Sequence, residues 1–304
     1  MNLRFVEAFF WVASLKSISR AAEKLHLTQS AMSSRISTLE DELGVLLLDR
    51  TDKQFKLTAA GARFLVYADK LLALQREVKR EIGSTQQMAV SMRIGAIESV
   101  LHSWLIPWLE KLRADHPGLE LELTVETTPI LMELVQRGTL DVVFAALPAA
   151  STGVRNHGLP PMDMAFVGNP LLHKKRNYSL AELADMELLT FQKGSQPHVT
   201  LLDLFKKHRL EPKMVHAISS ISAMVQLVQG GFGVALLPRL AVARLGGFAR
   251  LKPLAVDVKV DALPIHASYR IDPTSDSVEV VLASALEFTN SVRNAPKKTS
   301  KGKP

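Results

Sequence analysis

One stretch, AAEKLHLTQSAMSSRISTLEDELG (Ala21–Gly44), constrains the fold of this chain more than any other. It reads as two short helices joined by a tight turn. In the second, Met32, Ile36, Leu39 and Leu43 recur at spacings of 4, 3 and 4, which keeps them on one helical face. Ser30, Ser33, Ser34 and Ser37 fall on the other side, with Gln29 and Arg35 flanking. A helix that packs on one side and offers short polar side chains on the other suits a DNA major groove, where small donors and acceptors reach base edges. The same pattern also describes an ordinary amphipathic surface helix, so the rest of the chain has to decide.

The neighbouring segments supply a frame for that helix. A first helix is expected over Leu3–Leu15, with Leu3, Val6, Phe9, Phe10 and Ala13 on one side. Ser17 or Ser19 can cap a second helix ending near Leu25; His26 and Leu27 make the turn, Thr28 caps the third helix, and Gly44 ends it. Leu46–Thr58 reads as two short extended pieces around Thr51–Gln54, a β wing whose Arg50, Lys53 and Lys56 would face phosphates. Thr58 then caps a long helix to about Gln87. Its Ala60, Phe64, Tyr67, Leu71, Leu74 and Val78 step by 4, 3, 4, 3 and 4, a heptad seam that predicts self-association, the alternative being a helix packed on its own domain.

Charge adds less than its total suggests. The chain of 304 residues carries a net +7, but residues 1–89 hold 13 basic against 10 acidic groups and residues 90–289 hold 19 against 20. The last fifteen residues hold five basic groups and no acidic one, so most of the excess sits in a tail (293–304) expected to be disordered. The case for DNA therefore rests on the N-terminal pattern. A hydrophobic fraction of 47% is globular. No apolar run approaches the roughly 18 residues that span a bilayer, and Glu7 interrupts the apolar N-terminus, which lacks the look of an export signal. The expected location is the cytoplasm, with no membrane partner. Without cysteine there is no disulfide, thiolate metal site or cysteine nucleophile.

From Met92 the pattern becomes α/β. Strand-like segments at Met92–Ile97, Glu120–Glu126, Val142–Ala146, Ala165–Val167, Glu187–Phe191, Met214–Ala217, Val234–Leu237 and Ile265–Tyr269 are interspersed with helical ones at Val100–Asp115, Pro129–Gly138, Val199–His208, Ser220–Gly230 and Ser277–Arg293. Alternation of this kind predicts mostly parallel sheets, with ligands at the C-terminal ends of strands. Ser99, Thr128, Ser195, Ser219 and Ser220 stand at such ends beside helix starts, either as plain N-caps or as groups that hold a small anion or carbonyl.

These residues resemble the LysR-type transcriptional regulators. The resemblance is carried by AA-x-x-L-x-x-T-Q-S-A-x-S from Ala21 to Ser33 and L-E-x-E-L-G-x-x-L-x-x-R from Leu39 to Arg50, then by LTAAG (Leu57–Gly61), GTLDVVF (Gly138–Phe144) and VQGGFGVALLP (Val228–Pro238). It implies a winged helix-turn-helix over 1–58, a linker and dimerisation helix over 59–89, and an effector-binding domain over 90–292. That domain resembles the periplasmic binding proteins, with subdomain I at 91–163 and 266–292 and subdomain II at 164–265. Base contacts are implied for Gln29, Ser30, Ser33 and Ser34 with Arg35 nearby, beside the cap Thr28; backbone contacts are implied for Arg50 and the wing. Ser30 stands where most members have proline, Ser34 where many have a long arginine or glutamine, and Leu48 where an aromatic is usual.

For the effector cleft the resemblance implies Ser99, Thr128, Ser219 and Ser220. Glu98, Val100, Phe191, Lys193 and Ser195 complete the candidate set. Glu98 and Glu126 put carboxylates near the mouth, where a close ionised pair at an effective dielectric of about 20 is worth a few kcal/mol; His102 and Lys193 could offset them. An organic acid leads as co-inducer, with a neutral or amine-bearing metabolite as rival. The expected protein is a regulator that bends promoter DNA as a dimer or tetramer and acts through RNA polymerase. The alternative is a solute-binding protein or enzyme on the same scaffold. Against an enzyme, the sequence holds no G-x-S-x-G, H-x-x-x-H or H-E-x-x-H, and its nine histidines are scattered, with His173, His198 and His208 reading as surface groups. Neither a catalytic residue, a metal nor a cofactor is expected.

Overall fold

In the computed structural model of the chain, the residues described are 1–49, 55–82, 91–151, 153–245, 251–273 and 276–294. The N-terminal head is built from α1 (Leu3–Leu15), α2 (Ile18–Lys24) and α3 (Gln29–Leu43), followed by β1 (Leu48–Asp49) and β2 (Lys56–Leu57), an antiparallel pair. Local chemistry sets the boundaries. Ser17 Oγ accepts from Arg20 N–H and Thr28 Oγ1 from Ala31 N–H, which satisfies amides that have no partner inside the helix. Gly44, at φ 66°, takes the left-handed conformation that closes α3. Met32, Ile36 and Leu39 are buried as their spacing predicts. Leu43 is partly exposed, and the inward position beside Leu39 belongs instead to Glu40, whose Oε1 accepts from both Leu47 N–H (2.8 Å) and Leu48 N–H (3.0 Å).

The long helix α4 (Ala59–Ile82) divides its apolar residues between two tasks. Ala60 and Phe64 of the expected seam pack on the head, with Phe64 5.3 Å from Phe9, while the fully buried apolar side chains are Ala68 and Leu72, which the heptad spacing leaves outside the seam. Tyr67 (62% exposed), Leu74 (57%), Val78 and Ile82 stay in solvent. Heptad spacing marks an apolar face without saying which surface covers it.

The C-terminal part contains two five-stranded sheets. The first sheet, in the order β4-β3-β5-β12-β6, comprises β3 (Ser91–Ala96), β4 (Glu120–Val125), β5 (Val142–Ala145), β6 (Val154–Met162) and β12 (Leu263–Arg270). The second, in the order β11-β7-β10-β8-β9, comprises β7 (Met164–Gly168), β8 (Glu187–Thr190), β9 (Met214–Ala217), β10 (Val234–Pro238) and β11 (Lys252–Pro253). Each has two parallel pairings at one side and two antiparallel ones at the other, so the sheets are mixed rather than mostly parallel. The chain crosses from the first sheet to the second between β6 and β7 and returns with β12. Helices α5 (Glu98–Val100), α6 (Ile106–Asp115), α7 (Thr128–Arg137), α8 (Leu180–Ala184), α9 (Gln196–Lys207), α10 (Ile221–Gln229), α11 (Arg239–Leu245) and α12 (Ser277–Asn294) cover and connect them. A π turn at Leu101–Leu105 joins α5 to α6 and packs on α11. Trp104 and Trp108 meet Phe144 edge-on at 5.2 and 5.6 Å, which fixes this helix against the first sheet.

The head rests on the first sheet's end of the C-terminal part. Asp141, at the entry to β5, accepts from Arg93 Nη2 (2.8 Å) and Nε (3.1 Å) and from Lys24 Nζ of the head (2.7 Å). Burial pushes the Asp141 carboxyl up, but the Arg93 hydrogen bonds and the Lys24 and Arg93 charges outweigh it and hold it below the ordinary range. A lowered carboxyl contributes stability above its unfolded value of about 3.9 and loses it as pH falls through the folded value. The urea midpoint of the native protein should therefore drop more steeply below about pH 4 than that of Asp141→Asn, as read by tryptophan fluorescence; parallel curves would remove Asp141 as the source.

Candidate functional site

Two regions bring the sequence-derived candidates together. Thr28 at the cap and Gln29, Ser30 and Ser34 on α3 are exposed and Ser33 is half-buried; Ser30 and Ser34 point away from buried Met32, Ile36 and Leu39, and Gln29 is open because it begins the helix. Ser19 Oγ donates to Gln29 Oε1 (3.2 Å), so the first turn of α2 orients the amide; Thr28 Oγ1 and Ser30 Oγ share a hydrogen bond at 3.0 Å. In the sequence Ser19 reads only as a helix cap, and nothing in its spacing signals the bond to Gln29. Arg35 is half-buried and close enough to Glu7 to favour its ionised form, although burial and then Asp272 raise that carboxyl overall. Lys56 on β2 is exposed. Arg50 and Lys53 lie outside the described residues. Small hydroxyls and a primary amide on an open helix face can exchange hydrogen bonds with base edges, and a nearby exposed lysine can meet phosphate.

The second region lies where the two sheets meet. Glu98 opens α5 after β3, and its Oε2 accepts from Ile221 N–H at 2.5 Å, the first amide of α10 on the other sheet. The carboxylate thus faces the positive end of a helix rather than depending on His102 or Lys193. Ser220 caps α10 through Ala223 N–H and Ser195 caps α9 through His198 N–H, so both take the plain capping role. Thr128 is the first residue of α7 and not its cap, which is Thr127. Ser99 and Val100 are buried in α5, Phe191 is buried just after β8, and Lys193 and Ser219 are exposed. The bond from Glu98 to Ile221 sets the starts of α5 and α10, one from each sheet, side by side. Such groups can hold a small polar molecule. Among the described residues no cluster of histidine, aspartate and glutamate is suited to a metal ion, and no helix is long and apolar enough to cross a membrane.

The chain matches two family models. Residues 3–62 match that of the bacterial regulatory helix-turn-helix protein, lysR family, and residues 85–289 match the LysR substrate binding domain. A probable hydrogen peroxide-inducible genes activator of Mycobacterium avium is 33% identical over 78% of this chain and 78% of its own length. The HTH-type transcriptional regulator BenM of Acinetobacter baylyi is 30% identical over 78% of this chain and 80% of its own. A full-length OxyR variant from Pseudomonas aeruginosa shares the fold at a TM-score of 0.63 and 22% identity, covering 95% of this chain and 97% of that one. Full-length CbnR, solved in complex with its target DNA, does so at 0.57 and 22%, covering 95% and 100%. The helix-turn-helix and the effector domain thus occur in the order these relatives share, and the chain belongs to the LysR family of DNA-binding transcriptional regulators.

Proposed function

We propose that α3 reads promoter DNA through Gln29, Ser30, Ser33 and Ser34, with Thr28 and Arg35 beside them and Arg50, Lys53 and Lys56 on phosphates. The observation that carries this reading is the outward face of α3, polar and open while the opposite face is locked into the head. A cytoplasmic protein of this kind works by binding rather than turnover. The exposed Tyr67, Leu74, Val78 and Ile82 on α4 support a dimer that presents two heads, and two dimers would bend the DNA between them. A small co-inducer held between the two sheets, near Glu98, Ser99, Val100, Thr128, Phe191, Lys193, Ser195, Ser219 and Ser220, would shift their relative angle. Polymerase would then meet a different DNA path. The shift is bounded by the ligand's differential affinity for the two arrangements. An organic acid suits the helix N-termini. Because Glu98 already occupies one of them, a neutral or amine-bearing metabolite is the second reading.

Gln29→Ala tests the first step. Affinity for a genomic site selected with the native protein should fall about tenfold, while affinity for random duplex stays constant. Lys56→Ala should weaken both and lower the salt slope by roughly one. An equal loss on both DNAs for Gln29→Ala would remove it from base reading.

A further inference from the structure

The contact between head and effector domain is broader than one ion pair. Lys24 Nζ, besides meeting Asp141, lies 5.0 Å from the Trp11 ring centroid and 4.0 Å from Asp272 Oδ2. Arg76 of α4 donates to the Asp272 carbonyl and pairs with Asp276, each at 3.2 Å. Leu15 of α1 packs on Gly138, where an added Cβ would come within 2.7 Å of its Cδ2. As a result α1 is buried on both sides, with Trp11 and Leu15 under the effector domain while Phe9 faces the head core.

Arg270 is the centre of this surface. Its guanidinium is buried, and it donates to three backbone carbonyls: Val135 O (3.1 Å) and Gln136 O (2.5 Å) at the end of α7, and Ser14 O (3.3 Å) at the end of α1. The last carbonyls of a helix lack partners within it and carry partial negative charge, so one cation here satisfies two helix ends at once. Burial, then the Arg20 charge, lowers the Arg270 pKa from its ordinary value. One of those helices belongs to the head and the other to the effector domain. At its opposite end, about 15 Å away by helix rise, α7 starts at Thr128.

We infer that this interface is a working joint. Subdomain I holds the head through Arg270 and the Lys24–Asp141 pair, and α7 is the strut that passes a change at its Thr128 end to the C-terminus of α1. The docked head keeps the outward face of α3 open, so the joint sets the angle at which DNA is met rather than blocking it. This inference rests on the reading that Thr128 lines the co-inducer cleft.

The chain has no cysteine, so spin labels on Glu23→Cys of α2 and Lys111→Cys of α6, in labelled chains diluted with excess unlabelled protein so that an assembly holds one of them, report alone on the distance between head and effector domain. The native background should give one narrow distance. Lys24→Glu sets a third carboxylate beside Asp141 and Asp272 and should broaden it; adding Asp272→Lys should narrow it again. By hydrogen exchange, Lys24→Glu should speed the amide of Leu131 in the first turn of α7 about tenfold, together with the last turn at Val135–Gly138. An unchanged distance, a broadening that Asp272→Lys does not reverse, or faster exchange confined to the last turn would overturn the joint. Random duplex binding, measured alongside, should be equal in native protein and Lys24→Glu. Loss in Lys24→Glu alone would also count against the joint, whereas its absence from both would sink the DNA-reading proposal and leave the distance result to decide this one.

Discussion

Gly61→Ala should be among the most damaging single methyl additions to the head, although alanine is the better helix former by about 1 kcal/mol. A Cβ at Gly61 would sit 2.0 Å from Leu47 O, 2.9 Å from its carbonyl carbon and 3.2 Å from its Cα. All three are backbone atoms, so no side chain can swing aside. The surrounding hydrogen bonds prevent retreat: Thr58 N–H donates to Leu47 O at 3.0 Å, Thr58 Oγ1 to Leu46 O at 2.7 Å, and Gly61 N–H to Thr58 Oγ1 at 2.9 Å. The expected cost is about 3 kcal/mol or more, the upper range for overpacking. Urea unfolding followed by circular dichroism should show a separate, earlier transition of the head. A gain in stability, as helix propensity alone would give, would disprove the close approach.

Glu40→Ala should cost a similar amount by the opposite route. It leaves the amides of Leu47 and Leu48 buried without an acceptor, and unsatisfied groups of this kind cost roughly 1–3 kcal/mol each. The head should lose about 3 kcal/mol, and more than about 10 °C in melting temperature for a unit of its size. Glu40→Gln should lose much less, because both amides donate to one oxygen that glutamine retains. Equal losses in the two variants would mean that charge, not acceptance, is what Glu40 supplies.

Much of the head is legible in the sequence because its signals are local. Ser17, Thr28 and Gly44 act within a few residues of where they stand, and Met32, Ile36 and Leu39 need only a period of 3.6. Glu40 shows the limit. In LEDELG it looks like one more exposed acid, and its burial depends on a chain reversal that brings Leu47 back against it. The seam on α4 is visible in the spacing, but its division between Phe9 and solvent is not. The strand β6 is hard to see because VRNHGLPPM carries a glycine and two prolines, tolerable since β6 is an edge strand pairing only with β12. Ser195 and Ser220 announce the helix starts they cap, whereas the bond from Glu98 to Ile221 spans 123 positions and leaves no periodic trace. The role of Arg270 is equally hidden, because carbonyl partners have no sequence identity.

The tie between wing base and α4 has a mechanical consequence. With Thr58 fastened to Leu46 and Leu47, and Glu40 fastening Leu47 and Leu48 to α3, that helix has no independent steering. In a dimer joined along Tyr67, Leu74 and Val78, twisting one coil would swing its head like a blade fixed to a shaft. Operator spacing would then be a property of the shaft.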